Sequence, residues 1–133
     1  MITFTSVTPN LLVQNVERST AFYTNVLGFH IKQTVPEQAP FVFVWLARDG
    51  VPVFVNDPKA VEDDLPASAE RTPGGTATLY FVITGIDAFH AHVQSQVKIA
   101  MPLKTQFYGM REFAITDPDG HILTFAERVG DPD

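Results

Sequence analysis

The spacing of hydrophobic positions changes several times along the chain, and each change predicts a new element. Residues 3–13 mix β-branched and apolar side chains, which is typical of a strand. Residues 16–27 place apolar side chains near helical spacing and end before Gly28, a favourable helix C-cap. Three further strands are predicted at residues 29–35, 41–47 and 51–55. Because the run 41–47 is continuously apolar, we expect both of its faces to be buried.

The same order of elements starts again after a polar segment. Residues 57–76 contain five acids, three prolines and Gly74-Gly75, a composition that predicts a solvated linker with a short helical turn. Beyond it the pattern predicts a strand, a helix and three strands, at residues 76–84, 86–97, 98–103, 110–116 and 121–127. The turn sequences Asp49-Gly50 and Asp117-Pro-Asp-Gly120 join the last two strands of each half.

The two halves align at a single offset of 70 residues without a gap. Three landmarks share this offset: Thr8 and Thr78 on the first strands, Val16 and Ile86 at the helix starts, and the turns Asp49-Gly50 and Asp119-Gly120. Agreement on one offset indicates an internal repeat. We therefore predict one α+β domain over residues 1–133. It contains a first module at residues 1–57, a linker at 58–75 and a second module at 76–129.

Composition and charge narrow the classes of partner. Hydrophobic residues make up 45% of the 133, which is enough to bury a core. The net charge is −6 and Lys and Arg do not cluster, which argues against nucleic-acid binding. No apolar run approaches the roughly 18 residues of a membrane span, and the basic start of a signal peptide is missing. Since cysteine is also absent, we expect a cytoplasmic protein without disulfide or thiolate chemistry.

Two stretches of the chain resemble the vicinal oxygen chelate superfamily. The first runs from Thr8-Pro-Asn-Leu-Leu-Val through Ser19-Thr-Ala-Phe-Tyr-Thr-Asn-Val-Leu-Gly-Phe29, and the second is Tyr108-Gly-Met-Arg-Glu-Phe-Ala-Ile-Thr-Asp-Pro-Asp-Gly-His-Ile-Leu-Thr-Phe125. That superfamily includes glyoxalase I, extradiol dioxygenases, and fosfomycin and bleomycin resistance proteins. The resemblance implies two βαβββ modules whose curled mixed sheets surround a cavity. It also implies a homodimer, because relatives close this cavity by pairing modules across two subunits.

The resemblance further implies where metal ligands would lie. Enzymes of the superfamily use up to four ligands, usually His and Glu, and the matching positions here are Thr8, Phe54, Thr78 and Thr124. A threonine hydroxyl binds transition metals poorly and phenylalanine cannot bind them. The histidines offer no replacement, since His90 and His92 diverge by roughly 200° on the predicted helix. We therefore predict no metal and no other cofactor.

Aromatic side chains remain as candidates for ligand contact. Trp45, Tyr80 and Tyr108 combine apolar faces with a polar edge. Phe41, Phe43 and most other phenylalanines are attributed to the core. The predicted ligand-binding residues are Thr8, Trp45, Phe54, Thr78, Tyr80, Tyr108 and Thr124. Arg111 and Glu112 are neighbours on a strand and point to opposite faces, so one of them reaches the cavity or an interface, and the sequence leaves open which.

These observations favour binding over catalysis. The chain has no nucleophile elbow, phosphate-binding loop or dinucleotide-binding glycine motif, and no catalytic residue is assigned. We predict a metal-free protein resembling bleomycin resistance proteins, which sequesters a planar or cationic organic molecule in an aromatic cavity at a dimer interface. One alternative is a metal-dependent lyase, isomerase or dioxygenase whose ligands lie elsewhere. Another is a metal-free catalyst of unknown reaction.

Overall fold

A computed structural model describes residues 1–131, except for the side chains of residues 69 and 70. The chain divides into two compact units, Met1–Arg71 and a second that begins at Thr72. Each unit contains one four-stranded mixed sheet and one helix that packs on it. The predicted α+β class and the two βαβββ modules are thereby confirmed, whereas the single domain over residues 1–133 stays a prediction.

The first unit orders its strands β1–β4–β3–β2. The strands are β1 (Asn10–Leu12), β2 (His30–Val35), β3 (Phe43–Arg48) and β4 (Val51–Asn56). β1 is parallel to β4, and the other neighbours are antiparallel. Helix α1 (Val16–Ala21) continues as a π-helical turn, Phe22–Val26, and packs on β3 and β4. The polar segment after β4 forms helix α2 (Pro58–Glu62) and a 3₁₀ turn (Pro66–Glu70), where the sequence predicted a short helical turn.

The second unit repeats this arrangement in the order β5–β8–β7–β6. Its strands are β5 (Leu79–Val82), β6 (Lys98–Thr105), β7 (Met110–Thr116) and β8 (Ile122–Arg128). Helix α3 (Ile86–Val93) packs on β7 and β8. Throughout the described residues, no helix combines the length and the apolar character needed to cross a bilayer.

Each sheet buries the face that it turns toward its helix. In the first unit Val44, Leu46, Val53 and Val55 are fully buried there. In the second unit Phe113, Ile115, Leu123 and Phe125 occupy the equivalent face, and the Phe89 ring of α3 contacts Phe113 and Phe125. Since successive strand residues alternate, the residues between these core positions lie on the opposite face of each sheet, which we call its open face.

Both first strands are shorter than predicted. β1 starts at Asn10 instead of Thr3, and β5 starts at Leu79 instead of Thr76. The register of β1 on β4 would place residue 8 opposite Pro52, which has no N–H to donate. The register of β5 on β8 would place residue 77 opposite a residue outside β8. The strands therefore begin where their partners can form hydrogen bonds, which composition does not reveal.

Two other expectations are wrong in detail. β3 buries only the face toward α1, because Trp45 on its open face is 36% exposed. Helix α3 ends at Val93, four residues before its predicted end, because residues 94–96 form a turn that leads into β6.

The offset of 70 holds for the outer strand pair but not for the third strands. Asn10 pairs with Phe54 in the first unit, and Tyr80 pairs with Thr124 in the second. Trp45, however, lies opposite Phe54, whereas Ala114 lies opposite Thr124, an offset of 69. The gapless alignment is therefore wrong between β3 and β7. The first hairpin turn has two residues, Asp49 and Gly50, and five residues separate the paired ends of β7 and β8.

Candidate functional site

Three aromatic side chains cover the open face of the first sheet. Phe43 and Trp45 come from β3 and Phe54 from β4, and we call this group the aromatic face. The ring centroids of Phe43 and Phe54 are 5.0 Å apart, and those of Trp45 and Phe54 are 6.3 Å apart, both in edge-to-face arrangements. Edge-to-face packing holds the rings in defined positions. The aromatic face therefore presents a fixed, apolar surface on which a flat molecule can lie.

A polar pair borders the aromatic face. Asn56, at the end of β4, is buried and its side-chain amide donates a hydrogen bond to the side-chain oxygen of Asn10 on β1. Asn10 lies opposite Phe54, and Asn56 lies two residues beyond Phe54 on the same face. Hydrogen-bonding groups therefore lie beside the apolar rings, as in most small-molecule sites.

The open face of the second sheet carries a buried carboxylate. Glu112 on β7 is only 4% exposed and accepts two hydrogen bonds from tyrosine hydroxyls. The Tyr80 hydroxyl on β5 donates to Oε2 at 2.7 Å, and the Tyr108 hydroxyl donates to Oε1. We call these three residues the Tyr–Glu–Tyr cluster. Tyr80 lies opposite Thr124 on β8, so Thr124, another predicted site residue, lies next to the cluster.

The carboxylate keeps both tyrosines in their neutral, proton-donating form. Burial, and then the hydrogen bond to Glu112 and its negative charge, raise the pKa of Tyr80 from 10.0 to about 12, while Arg128 opposes this shift. The hydrogen bond to Glu112, followed by burial, also raises the pKa of Tyr108. Neither phenol can therefore act as a base near neutral pH, and both serve as hydrogen-bond donors.

Tyr108 is positioned by the turn between β6 and β7. The N–H of Gly109 donates to the carbonyl of Gln106, and Gly109 adopts a φ of +85°, a conformation that favours glycine. Arg128 donates from Nη1 to the carbonyls of Tyr108 and Gly130, which ties the turn to β8. Phe107, beside Tyr108, is 72% exposed, and the centroids of the two rings are 5.1 Å apart.

The structure decides between Arg111 and Glu112. Arg111 lies on the helix side of β7, where its guanidinium forms an ion pair with Asp87 at the start of α3, with Nη2 3.0 Å from the carboxylate. Glu112 points to the open face. Strand alternation alone allows either side chain to lie on the open face. The contacts of Arg111 with Asp87 and of Glu112 with the two tyrosines show that Glu112 lies there.

The four positions at which the resemblance implies metal ligands do not form a metal site. Thr8 and Thr78 precede β1 and β5, and Thr78 is exposed. Phe54 packs in the aromatic face, and Thr124 is half-buried on β8. This set offers three hydroxyls and a phenyl ring, without an imidazole or a carboxylate, and does not fit a divalent transition metal.

A second group, in the β7–β8 turn, brings potential ligand atoms together. The side chains of Asp117, Asp119 and His121 place one such atom each within 4.8 Å of the others. Asp117 Oδ1 already accepts the backbone N–H groups of Asp119 and His121, both at 2.9 Å. His121 has Nδ1 2.8 Å from Asp117 Oδ2, and its Nε2 accepts the N–H of Gly74 at 3.2 Å. Through these contacts the side chains of Asp117 and His121 and the backbone close the β7–β8 turn, in keeping with the turn predicted at Asp117-Pro-Asp-Gly120.

The site residues predicted from the sequence thus fall into two groups with different surroundings. Trp45 and Phe54 meet on the aromatic face, and Tyr80, Tyr108 and Thr124 lie at or beside the Tyr–Glu–Tyr cluster. Thr8 and Thr78 lie outside the strands that were expected to carry them. Sequence reasoning missed Phe43, which was attributed to the core. The signal was available, because Phe43 has the same strand parity as Trp45.

Comparisons with known proteins agree with this geometry. The model of the Glyoxalase/Bleomycin resistance protein/Dioxygenase superfamily matches residues 4–125. The bleomycin resistance protein of Geobacillus stearothermophilus is 27% identical over 132 residues, which cover 91% of this chain and 95% of that protein. Among solved structures, a protein of unknown function from Agrobacterium tumefaciens superposes with a TM-score of 0.77 at 26% identity and 96% coverage of both chains.

A third similar protein shows the fold at lower identity. TnmS3, an antibiotic binding protein from Streptomyces sp. CB03234, superposes with a TM-score of 0.75 at 20% identity, covering 96% of this chain and 99% of its own. The family match spans most of the chain, and the two βαβββ units have the architecture implied by the sequence motifs. The chain belongs to the Glyoxalase/Bleomycin resistance protein/Dioxygenase superfamily.

Proposed function

We propose that this protein is a metal-free binding protein that sequesters a planar or cationic organic molecule. The observation that carries the proposal is the aromatic face, where Trp45 is partly exposed and packs against Phe54, which in turn packs against Phe43. A ligand that lies on these rings exchanges water contacts for apolar burial. Relatives that are enzymes would use the position of Phe54 for a metal ligand, and here that position supports binding by stacking.

The expected binding energy comes from the rings and from burial. A cationic group over an aromatic face is worth about 0.5–2 kcal/mol, depending on its desolvation. Burial of apolar surface adds roughly 25 cal/mol per Å² removed from water. Two or three cation–aromatic contacts supply at most about 6 kcal/mol, and burial supplies the rest of the roughly 8 kcal/mol that corresponds to micromolar affinity. Because the proposal includes no proton transfer or bond cleavage, we assign no catalytic residue.

The similarity to bleomycin resistance proteins supports a drug-like ligand. The relative from Geobacillus stearothermophilus is named for resistance to bleomycin, and the alignment covers nearly all of both chains. The net charge of −6 also suits a ligand that carries positive charge. We therefore propose sequestration of such a molecule, by a cytoplasmic protein, as the physiological role.

We also propose that the protein acts as a homodimer. Residues 1–7 expose four apolar side chains, those of Met1, Ile2, Phe4 and Val7. Exposed apolar groups of this number favour association, and a closed dimer with two equivalent sites is the commonest oligomer. The proposed ligand site would then lie at the dimer interface.

Calorimetry with bleomycin-type glycopeptides and a panel of cationic aromatic compounds tests the proposed function. Wild type, pretreated with a chelator, is expected to bind at least one of them, and Trp45→Ala and Tyr108→Ala are expected to bind it more weakly. The matched control is Phe22→Ala, which removes a ring from the π-helical turn rather than from the proposed site. Turnover of a thiol adduct or a catechol by a wild-type protein that binds none of the panel would contradict the proposal.

A further inference from the structure

We propose that Glu112 forms an anionic binding site on the second sheet, which selects ligands carrying an amidinium or ammonium group. This inference rests on the proposed function and deepens it, because it names the charge that the ligand must carry. The structural basis is a carboxylate that is almost completely buried on the open face of the second sheet and held by two neutral donors.

Within residues 1–131, Glu112 forms no ion pair, although the exposed Lys104 lies opposite it on β6 and Arg128 lies on the same face of the sheet. Arg111, its neighbour in sequence, lies on the opposite face and pairs with Asp87. Arg128 uses Nη1 to bind the carbonyls of Tyr108 and Gly130. A buried charge is costly unless an opposite charge compensates for it. The tyrosine hydroxyls satisfy hydrogen bonds of the carboxylate but add no positive charge, so a ligand cation would form the ion pair that Lys104 and Arg128 do not form.

The surroundings of Glu112 suit a flat organic cation. Each carboxylate oxygen accepts one tyrosine hydroxyl and retains capacity for a second hydrogen bond. Tyr80 is 52% exposed and Phe107 is 72% exposed, so both rings are accessible to a cation next to the carboxylate. An amidinium donates from a planar pair of N–H groups, matches carboxylate oxygens in geometry and stacks on aromatic rings.

The same features disfavour other ligands at this position. An anionic group would lie beside a carboxylate that forms no ion pair, and both tyrosine protons are already donated to Glu112. The raised pKa values of Tyr80 and Tyr108 keep these protons in place at neutral pH. A neutral isostere fits by shape but does not balance the charge. The cluster therefore discriminates by charge rather than by size.

Fluorine NMR with two probes of the same shape tests this inference. The probes are para-trifluoromethylbenzamidine, a cation, and para-trifluoromethylbenzamide, which is neutral. Wild type is expected to bind the amidine about tenfold more tightly than the amide. Glu112→Gln should bind both equally, because it keeps the shape and removes the charge. Glu62→Gln, which removes one charge from the exposed surface of α2, should retain the preference.

A measurement on wild type alone keeps the test valid if Glu112→Gln does not fold. Addition of the amidine should shift the ring resonances of Tyr80 and Tyr108 more strongly than addition of the amide does. Equal affinities of wild type for the two probes, or unchanged tyrosine resonances, would overturn the inference. This failure is distinct from failure of the proposed function, in which no aromatic compound of either charge changes the resonances of Trp45.

Discussion

Individual residues of the Tyr–Glu–Tyr cluster determine how it responds to pH. The Tyr80 hydroxyl donates to a carboxylate at 2.7 Å, and ionisation of the phenol would place two negative charges side by side. Burial and this interaction hold the pKa of Tyr80 at about 12. Because the folded pKa exceeds the ordinary value of 10.0, the cluster contributes stability that is complete below pH 10 and is lost as pH rises toward 12.

We predict that Glu112→Gln lowers the pKa of Tyr80 toward its ordinary value of 10.0. The amide removes the negative charge that opposes ionisation of the phenol. The measurement is the ultraviolet absorbance of tyrosinate as a function of pH, with Tyr80→Phe identifying the step that belongs to Tyr80. A wild-type Tyr80 that ionises near pH 10 would contradict the geometry of the cluster.

Strand alternation is the part of the site that the sequence makes predictable. It places Tyr80 on the same face as Thr124, and Phe43 on the same face as Trp45, once the strands are recognised. It does not reveal that Glu112 rather than Arg111 lies on the open face of the second sheet. That choice depends on two partners from separate elements. Asp87, at the start of α3, is distant in sequence from Arg111 and pairs with it, and Tyr108 is brought back toward Glu112 by the β6–β7 turn.

Helix capping differs between the two otherwise similar units. In α1 the Asn15 side chain accepts the N–H of Arg18 at 2.9 Å, a cap supplied from within the helix. The equivalent position in α3 is Gly85, which has no side chain. Glu127 on β8 supplies the missing cap, because its Oε1 accepts the N–H groups of Gly85 at 3.1 Å and Ile86 at 3.0 Å. Glu127 therefore ties α3 to the sheet.

We predict that Glu127→Ala lowers the free energy of unfolding by about 1 kcal/mol, the usual value of an N-cap. Glu127→Gln should lose less, since the amide oxygen still accepts a hydrogen bond. Urea denaturation measures both, with Asn15→Ala as the equivalent change in the first unit. A stability of Glu127→Ala equal to that of wild type would show that these contacts do not cap α3.

The β6–β7 turn provides a second test at this scale. A Cβ on Gly109 would clash with the carbonyl oxygen of Gly130, whereas a Cβ on Gly120 would meet no atom within 4 Å. Both glycines have positive φ, so alanine costs about 1–2 kcal/mol at either position. We predict that Gly109→Ala destabilises the protein clearly more than Gly120→Ala in urea denaturation. Equal losses would contradict the close approach of Gly130 to this turn.

Element boundaries depend on partners and so were less predictable than element types. The order of strands and helices follows from hydrophobic spacing and was correct in both units. The starts of β1 and β5 depend on where β4 and β8 offer hydrogen bonds, and Pro52 offers none. The second hairpin is one residue longer in register than the first, which shifts β7 by one position against the internal repeat.

For the whole molecule, we predict a homodimer in solution. The exposed apolar side chains of residues 1–7 motivate this expectation. Light scattering at micromolar concentration should give about twice the chain mass of 14.7 kDa. A mass near 14.7 kDa at that concentration would contradict the prediction.

The central claim, that a flat organic molecule binds the aromatic face without a metal, has a direct spectroscopic test. Trp45 is the single tryptophan of the chain, so its fluorescence reports on this face alone. Titration of chelator-treated protein with cationic aromatic compounds is expected to change Trp45 emission in a saturable manner. Phe54→Ala should weaken the effect, since it removes a ring that packs against Trp45. Emission that stays unchanged with every compound, or that changes only after a divalent metal is added, would contradict the account.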